Sequence, residues 1–150
     1  MKLTEQELHK RLAVELFNGT WDLLDRPDRS PDDKREMLAR AHTSRWHWGK
    51  VGTPLEFERG DWLISRVYAV LNQPQLALDY ARTCLEICEA NGYADFDIAF
   101  AHEAVARALA LADDKTGAAR HRELAAKAGE AIADKGNRDY FKSVLMTLPE

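Results

Sequence analysis

Glycine, proline and cysteine are all scarce in this chain of 150 residues, at eight, five and two. So few glycines and prolines exclude a linker-rich or low-complexity chain. Long hydrophobic runs are missing as well. No apolar stretch exceeds the five residues of 108–112, far short of the ~20 that span a bilayer. The opening Met-Lys-Leu-Thr-Glu-Gln-Glu-Leu has no apolar segment of the secretory-signal kind. Two cysteines exclude a disulfide scaffold, and Cys84 and Cys88 lack the Cys-x-x-Cys spacing of redox centres. Four apart on a helix, their Cβ atoms stand ~6 Å from each other, too far for an unstrained disulfide. They read as small core residues in a reducing compartment. The expectation is a cytoplasmic protein without membrane contact.

Charge of one sign is also lacking. The 21 basic and 25 acidic residues are interspersed along the chain and leave a net charge of −4. Such mixing reads as a solvated surface and excludes a nucleic-acid partner, which calls for a basic stripe. Thirteen of the cations are arginine, a residue suited to bidentate anion recognition but equally a product of genome composition.

What is present is an apolar share of 45% with four tryptophans, enough to build one domain with a core. Alternating apolar and polar residues, the mark of a strand, occur nowhere, whereas helical spacing runs from residue 4 to residue 147. Thr4-x-x-Glu7 is a capping box ahead of Leu8, Leu12 and Leu16. Ser30-Pro31-Asp32-Asp33 and Thr53-Pro54-Leu55-Glu56 each start a further helix, and Asn91-Gly92 ends one. Helices are therefore predicted over about 4–25, 30–49, 54–71, 74–90, 95–112, 115–134 and, capped by Asn137, 137–147. The fold class is all-α, with about seven helices in antiparallel hairpins.

A repeat emerges when Ala77 is placed on Ala118. Ser65 then falls on Ala106, Tyr68 on Leu109, Asn72 on Asp113, Cys84 on Ala125 and Leu85 on Ala126. Small residues recur where two helices must approach closely. With Ser65, Tyr68, Ala77 and Cys84-Leu85 at its key positions, the hairpin of residues 59–90 resembles a tetratricopeptide (TPR) repeat. It departs from that family in its 41-residue interval and in Glu89 where the family has proline. The usual glycine is Ser65 or Ala106, and Arg122 replaces an aromatic residue. The resemblance implies a right-handed array of hairpins at 54–90 and 95–135, with a divergent hairpin at 4–49 and a capping helix at 137–147. Segments 41–48, 59–66 and 95–103 also resemble small bacterial proteins of unassigned function, which implies a bacterial origin.

Enzyme motifs fail one by one. His102-Glu103-Ala104-Val105-Ala106 begins like the zinc motif His-Glu-x-x-His but has alanine at the second ligand position. His42 and His47 lie five apart, about 140° around a helix, and cannot easily share a metal. Gly49 and Gly52 are a helix-ending turn, not a phosphate loop. A metal remains conceivable only between helices, from His42, His102, Asp61 or Glu103. No cofactor is expected.

The first helix of each TPR hairpin lines a concave groove, so the resemblance places Arg59, Trp62, Arg66, Phe100, Glu103 and Arg107 on that surface. Arginine and tryptophan are the usual anchors of recognition. Trp62 also reads as core filler, and Glu103–Arg107 as an ordinary intrahelical pair. His42, Arg45 and Trp46 either extend the groove or form a buried network. The expected function is non-catalytic binding of a protein or peptide segment carrying acidic groups. A second copy of the chain is also admissible as partner. The alternative is a helical-bundle enzyme or metal-binding protein with an interhelical His/Asp/Glu site.

Overall fold

The helix starts are set by local chemistry. A computed structural model describes residues 2–149, and among them there are seven helices and no strand. The helices are α1 (Glu5–Leu24), α2 (Pro31–Val51), α3 (Pro54–Val70), α4 (Pro74–Asn91), α5 (Phe96–Leu111), α6 (Lys115–Glu130) and α7 (Lys135–Leu145). Thr4 accepts from the Glu7 amide, and Ser30 and Asp33 close a reciprocal capping box, satisfying amides that the first helical turn leaves unpaired. Gly92 ends α4 in the left-handed region at φ 64°, which glycine adopts without steric cost. None of these helices is long and apolar enough to cross a membrane.

Two expected boundaries are corrected. Asp134, not Asn137, caps α7, because its carboxylate accepts from the Asn137 amide. Lys135-Gly136 therefore opens α7 instead of closing α6, which ends at Glu130. Leu8, expected on the inner face of α1, is exposed.

The α3–α4 and α5–α6 turns are copies of one another 41 residues apart. Asn72 and Asp113 sit at φ 57° and 65°, and the following amides, of Gln73 and Asp114, donate to Tyr68 and Leu109 carbonyls at 2.9 Å in both. Inside α3–α4 the Ser65 hydroxyl donates to the Ala77 carbonyl at 2.7 Å, and both residues are buried. The small side chains allow that approach. Ser44 binds the Ala13 carbonyl between α2 and α1 in the same way.

The hairpins α1–α2, α3–α4 and α5–α6 are the most extensively packed pairs, and they stack in chain order. Helices α1, α3, α5 and α7 also pack in succession, forming one layer with α2, α4 and α6 behind it. Four buried apolar clusters result, and Trp62 of α3 packs against every one of them.

Candidate functional site

The layer of odd-numbered helices carries a chain of aromatic rings. Trp21 stacks on Trp62 with centroids 5.7 Å apart, Trp62 meets the edge of Phe100 at 5.5 Å, and Phe100 contacts Phe96 at 4.5 Å. With Phe17 and Tyr140 these rings line an open pocket of about 500 Å³ that draws on α1, α3, α5 and α7. Glu58, Arg59, Asp97 and Asn137 supply its polar wall. Arg59 donates to both oxygens of Asp97 at 2.9 and 3.2 Å, a charge-assisted fork that cancels the charge at that wall.

Two buried polar atoms of the pocket-lining side chains find no hydrogen-bond partner among the described residues. They are Glu58 Oε2 and Trp62 Nε1. Glu58 is only 2% exposed. Burial, with Asp97 and Cys88 close by, pushes its carboxyl up to about 10, so it is protonated at neutral pH. Its Oε1 accepts from the Cys84 thiol at 3.7 Å. Hydrogen bonding to Cys88, and then burial, raises the Cys84 thiol further.

The six groove residues expected from the sequence divide into two places. Arg59, Trp62 and Phe100 line the pocket. Arg66, Glu103 and Arg107 form a separate ion cluster: Glu103, 1% exposed, meets Arg107 at 2.7 Å and Arg66 at 3.7 Å. Both cations thus face the same carboxylate and are not an open anion receptor. Burial and the nearby Arg107 charge hold the Arg66 guanidinium below its ordinary value. Arg107 also donates to the Thr147 hydroxyl at 2.7 Å, tying the segment after α7 back onto α5.

The expected extension is likewise dispersed. His42 bonds the Tyr68 hydroxyl at 2.9 Å and packs edge-on to Tyr80, and its burial lowers its basicity. Arg45 donates to Asp61 at 3.1 Å and lies over the Phe57 ring. Its stem crosses Gly60, where a Cβ would meet the Arg45 Cδ at 2.7 Å, so this crossing depends on glycine. Asp61 still has its acidity weakened, because burial outweighs Arg45. Trp46 is 56% exposed and packs against His9 and His47, away from the pocket.

The interhelical metal set named from the sequence does not assemble. His42 is engaged by Tyr68, His102 by His121, Asp61 by Arg45 and Glu103 by Arg107. Among the described residues, one group of three has ligand spacing, and it is Glu58, Cys84 and Cys88. Sequence reasoning missed Glu58. Its signal was the 41-residue alignment, which sets this acid opposite Ala99 at a position that faces inward in both hairpins. Phe17, Trp21, Asn137 and Tyr140 were missed because they lie outside the aligned hairpins.

No protein-family model, curated protein or solved structure matches this chain.

Proposed function

We propose that this chain is a non-catalytic binding module, a TPR-like array whose layer of α1, α3, α5 and α7 takes a peptide segment of a partner protein. The observation that supports it is the aromatic pocket, with the Trp62 Nε1 donor buried in its wall and unpaired among the described residues. Aromatic walls with a few convergent polar groups are the usual make-up of a recognition pocket. An acidic anchor would have to displace Asp97 from Arg59, so the anchor proposed is a neutral aromatic or aliphatic side chain with a polar tip. The buried Trp62 Nε1 rewards such a tip, since a small opening of the pocket wall on binding would give this donor an acceptor.

Tyr140 is half exposed on the rim of the pocket, so it can be changed without opening the core. An array of eight-residue peptides, each with one aromatic or leucine anchor, is probed with the wild-type chain, with Tyr140→Glu and with Met146→Glu. Met146 is 86% exposed and outside the pocket. Binding of an aromatic-anchored subset that Tyr140→Glu abolishes and Met146→Glu preserves is the expected result. If no peptide binds more tightly than about 1 mM, or if both variants behave alike, the reading fails.

A further inference from the structure

We propose that Glu58, Cys84 and Cys88 form a binding site for a thiophilic divalent cation, zinc by its donor set, at the floor of the aromatic pocket. The proposal rests on this buried trio and not on any occupant of the pocket above it.

Glu58 comes from α3, and the two cysteines lie one turn apart on the facing side of α4. One carboxylate oxygen and both sulfurs lie within 4.8 Å of one another. Zinc with ~2.3 Å bonds to sulfur spans tetrahedral edges of about 3.8 Å, so side-chain adjustments of about 1 Å bring the three onto one ion. The i, i+4 spacing that forbids a disulfide suits two ligands converging on a shared metal. Both thiols are free and fully buried. The Glu58 carboxyl is poorly paired, with the Cys84 thiol 3.7 Å from its Oε1 and, among the described residues, no donor on its Oε2. A carboxyl buried in this state is neutral, and coordination would exchange its proton for the metal.

Two thiolates and a carboxylate select zinc over magnesium or calcium, which take oxygen. Binding releases the ligand protons to solvent, as metal coordination of thiols requires. The three ligands leave a fourth tetrahedral position. Glu58 lines the pocket and the two cysteines do not, and Arg59 holds both Asp97 oxygens, so water is the fourth ligand proposed. The resulting site carries one net negative charge, with the Arg59 guanidinium beside it.

The matching place in the next hairpin shows that the fold does not demand this trio. Residues 41 positions on are Ala99, Ala125 and Gly129, an apolar set closed by Phe141.

The test uses the whole chain, purified with reductant and stripped with chelator, and titrated with Co²⁺ and then Zn²⁺. The expected result is one cobalt per chain with thiolate-to-metal charge-transfer absorption, displaced by zinc. Cys84 and Cys88 are the only cysteines, so saturating zinc should also slow native alkylation of both by tenfold or more. Cys84→Ser/Cys88→Ser should lose the charge-transfer band while keeping the helical circular dichroism. Glu58→Gln should keep the band and bind about tenfold more weakly. Cobalt bound without a thiolate band would mean histidine ligation and would overturn the site. So would alkylation unaffected by zinc, a reading that needs no variant to fold.

Discussion

The hairpins α3–α4 and α5–α6 turn on the same backbone geometry, yet their interiors differ in kind. In the first, Glu58 reaches across to Cys84 and Cys88, and one of its oxygens stays unpaired. In the second, Ala99, Ala125 and Gly129 stand at the corresponding positions, and the Phe141 ring of α7 packs against them. A Cβ on Gly129 would meet that ring at 2.5 Å. One backbone design therefore closes around either a phenyl ring or an acid and two thiols. The apolar filling gains hydrophobic and dispersion energy, whereas an unpaired buried acceptor costs about 1–3 kcal/mol. The polar trio is thus a departure from the stable solution that the same chain uses one repeat later, and it borders the pocket.

The largest effect expected from this contrast is in the apolar hairpin. Phe141 is fully buried, and Phe141→Ala should destabilise the chain by about 3–5 kcal/mol in urea unfolding, since α7 loses its main anchor. A loss below about 1 kcal/mol would mean that the α5–α6 interior collapses freely around the gap. Next comes the ion cluster, which also holds α7 in place. Arg107→Ala should cost about 2–4 kcal/mol, because it removes the 2.7 Å contact to Glu103 and the bond to Thr147. Arg66→Ala should cost about 1 kcal/mol or less, because Glu103 keeps Arg107. The opposite ranking would show Arg66 to be the true counter-ion of Glu103.

Much of this layout was legible in the sequence because caps and turns are local. Ser30-Pro31, Thr4-x-x-Glu7 and Asn91-Gly92 act on amides and carbonyls within a few residues, and the Asn72/Asp113 correspondence identified two turns that prove to be copies. The α6–α7 boundary was misread because a glycine in a first helical turn looks like a stop, while the Asp134 cap that precedes it carries no weaker signal. The site was legible in part. The 41-residue interval brought Arg59, Trp62 and Phe100 to one surface, but which arginine finds which acid depends on side-chain direction across neighbouring helices. That is why Arg66 and Arg107 converge on Glu103 while Arg59 turns to Asp97. Glu58 escaped notice because a charged residue at an inward position contradicts the ordinary pattern of burial.

A smaller effect bears directly on the trio. In metal-free protein, Glu58→Met replaces a poorly paired buried carboxyl with an apolar chain of similar volume. Stability should stay within about 1 kcal/mol of wild type or rise above it, measured by urea midpoint in the presence of chelator. A loss of about 3 kcal/mol would show that the Glu58–Cys84 contact is a structural bond of the α3–α4 hairpin, and the contrast between the two interiors would vanish.

The smallest effect is a pH dependence outside both interiors. His102 of α5 and His121 of α6 face each other with their Nδ1 atoms 3.2 Å apart. Burial lowers both below the ordinary 6.5; His102 is lowered further by His121, and His121 by the Arg120 and Arg82 charges, with Glu89 opposing weakly in each case. Above the ordinary value both states hold neutral imidazoles, and the pair adds no pH dependence. As pH falls through it, the unfolded chain takes up protons that the folded pair resists, so stability declines until the lower folded values are reached. The pair's contribution to the urea midpoint should therefore fall between about pH 7.5 and about pH 5.5, against an opposite slope from Glu58, which is neutral there only in the folded chain, and His121→Gln should remove part of that fall. His42 is lowered by burial too, and His47 by burial and then by His9, and both keep their share of the slope in the variant. The α3–α4 hairpin has Asp61 and Tyr80 at the positions matching His102 and His121, so Tyr80→Phe should leave the slope unchanged. An equal slope in wild type and His121→Gln would remove the imidazole pair as its source.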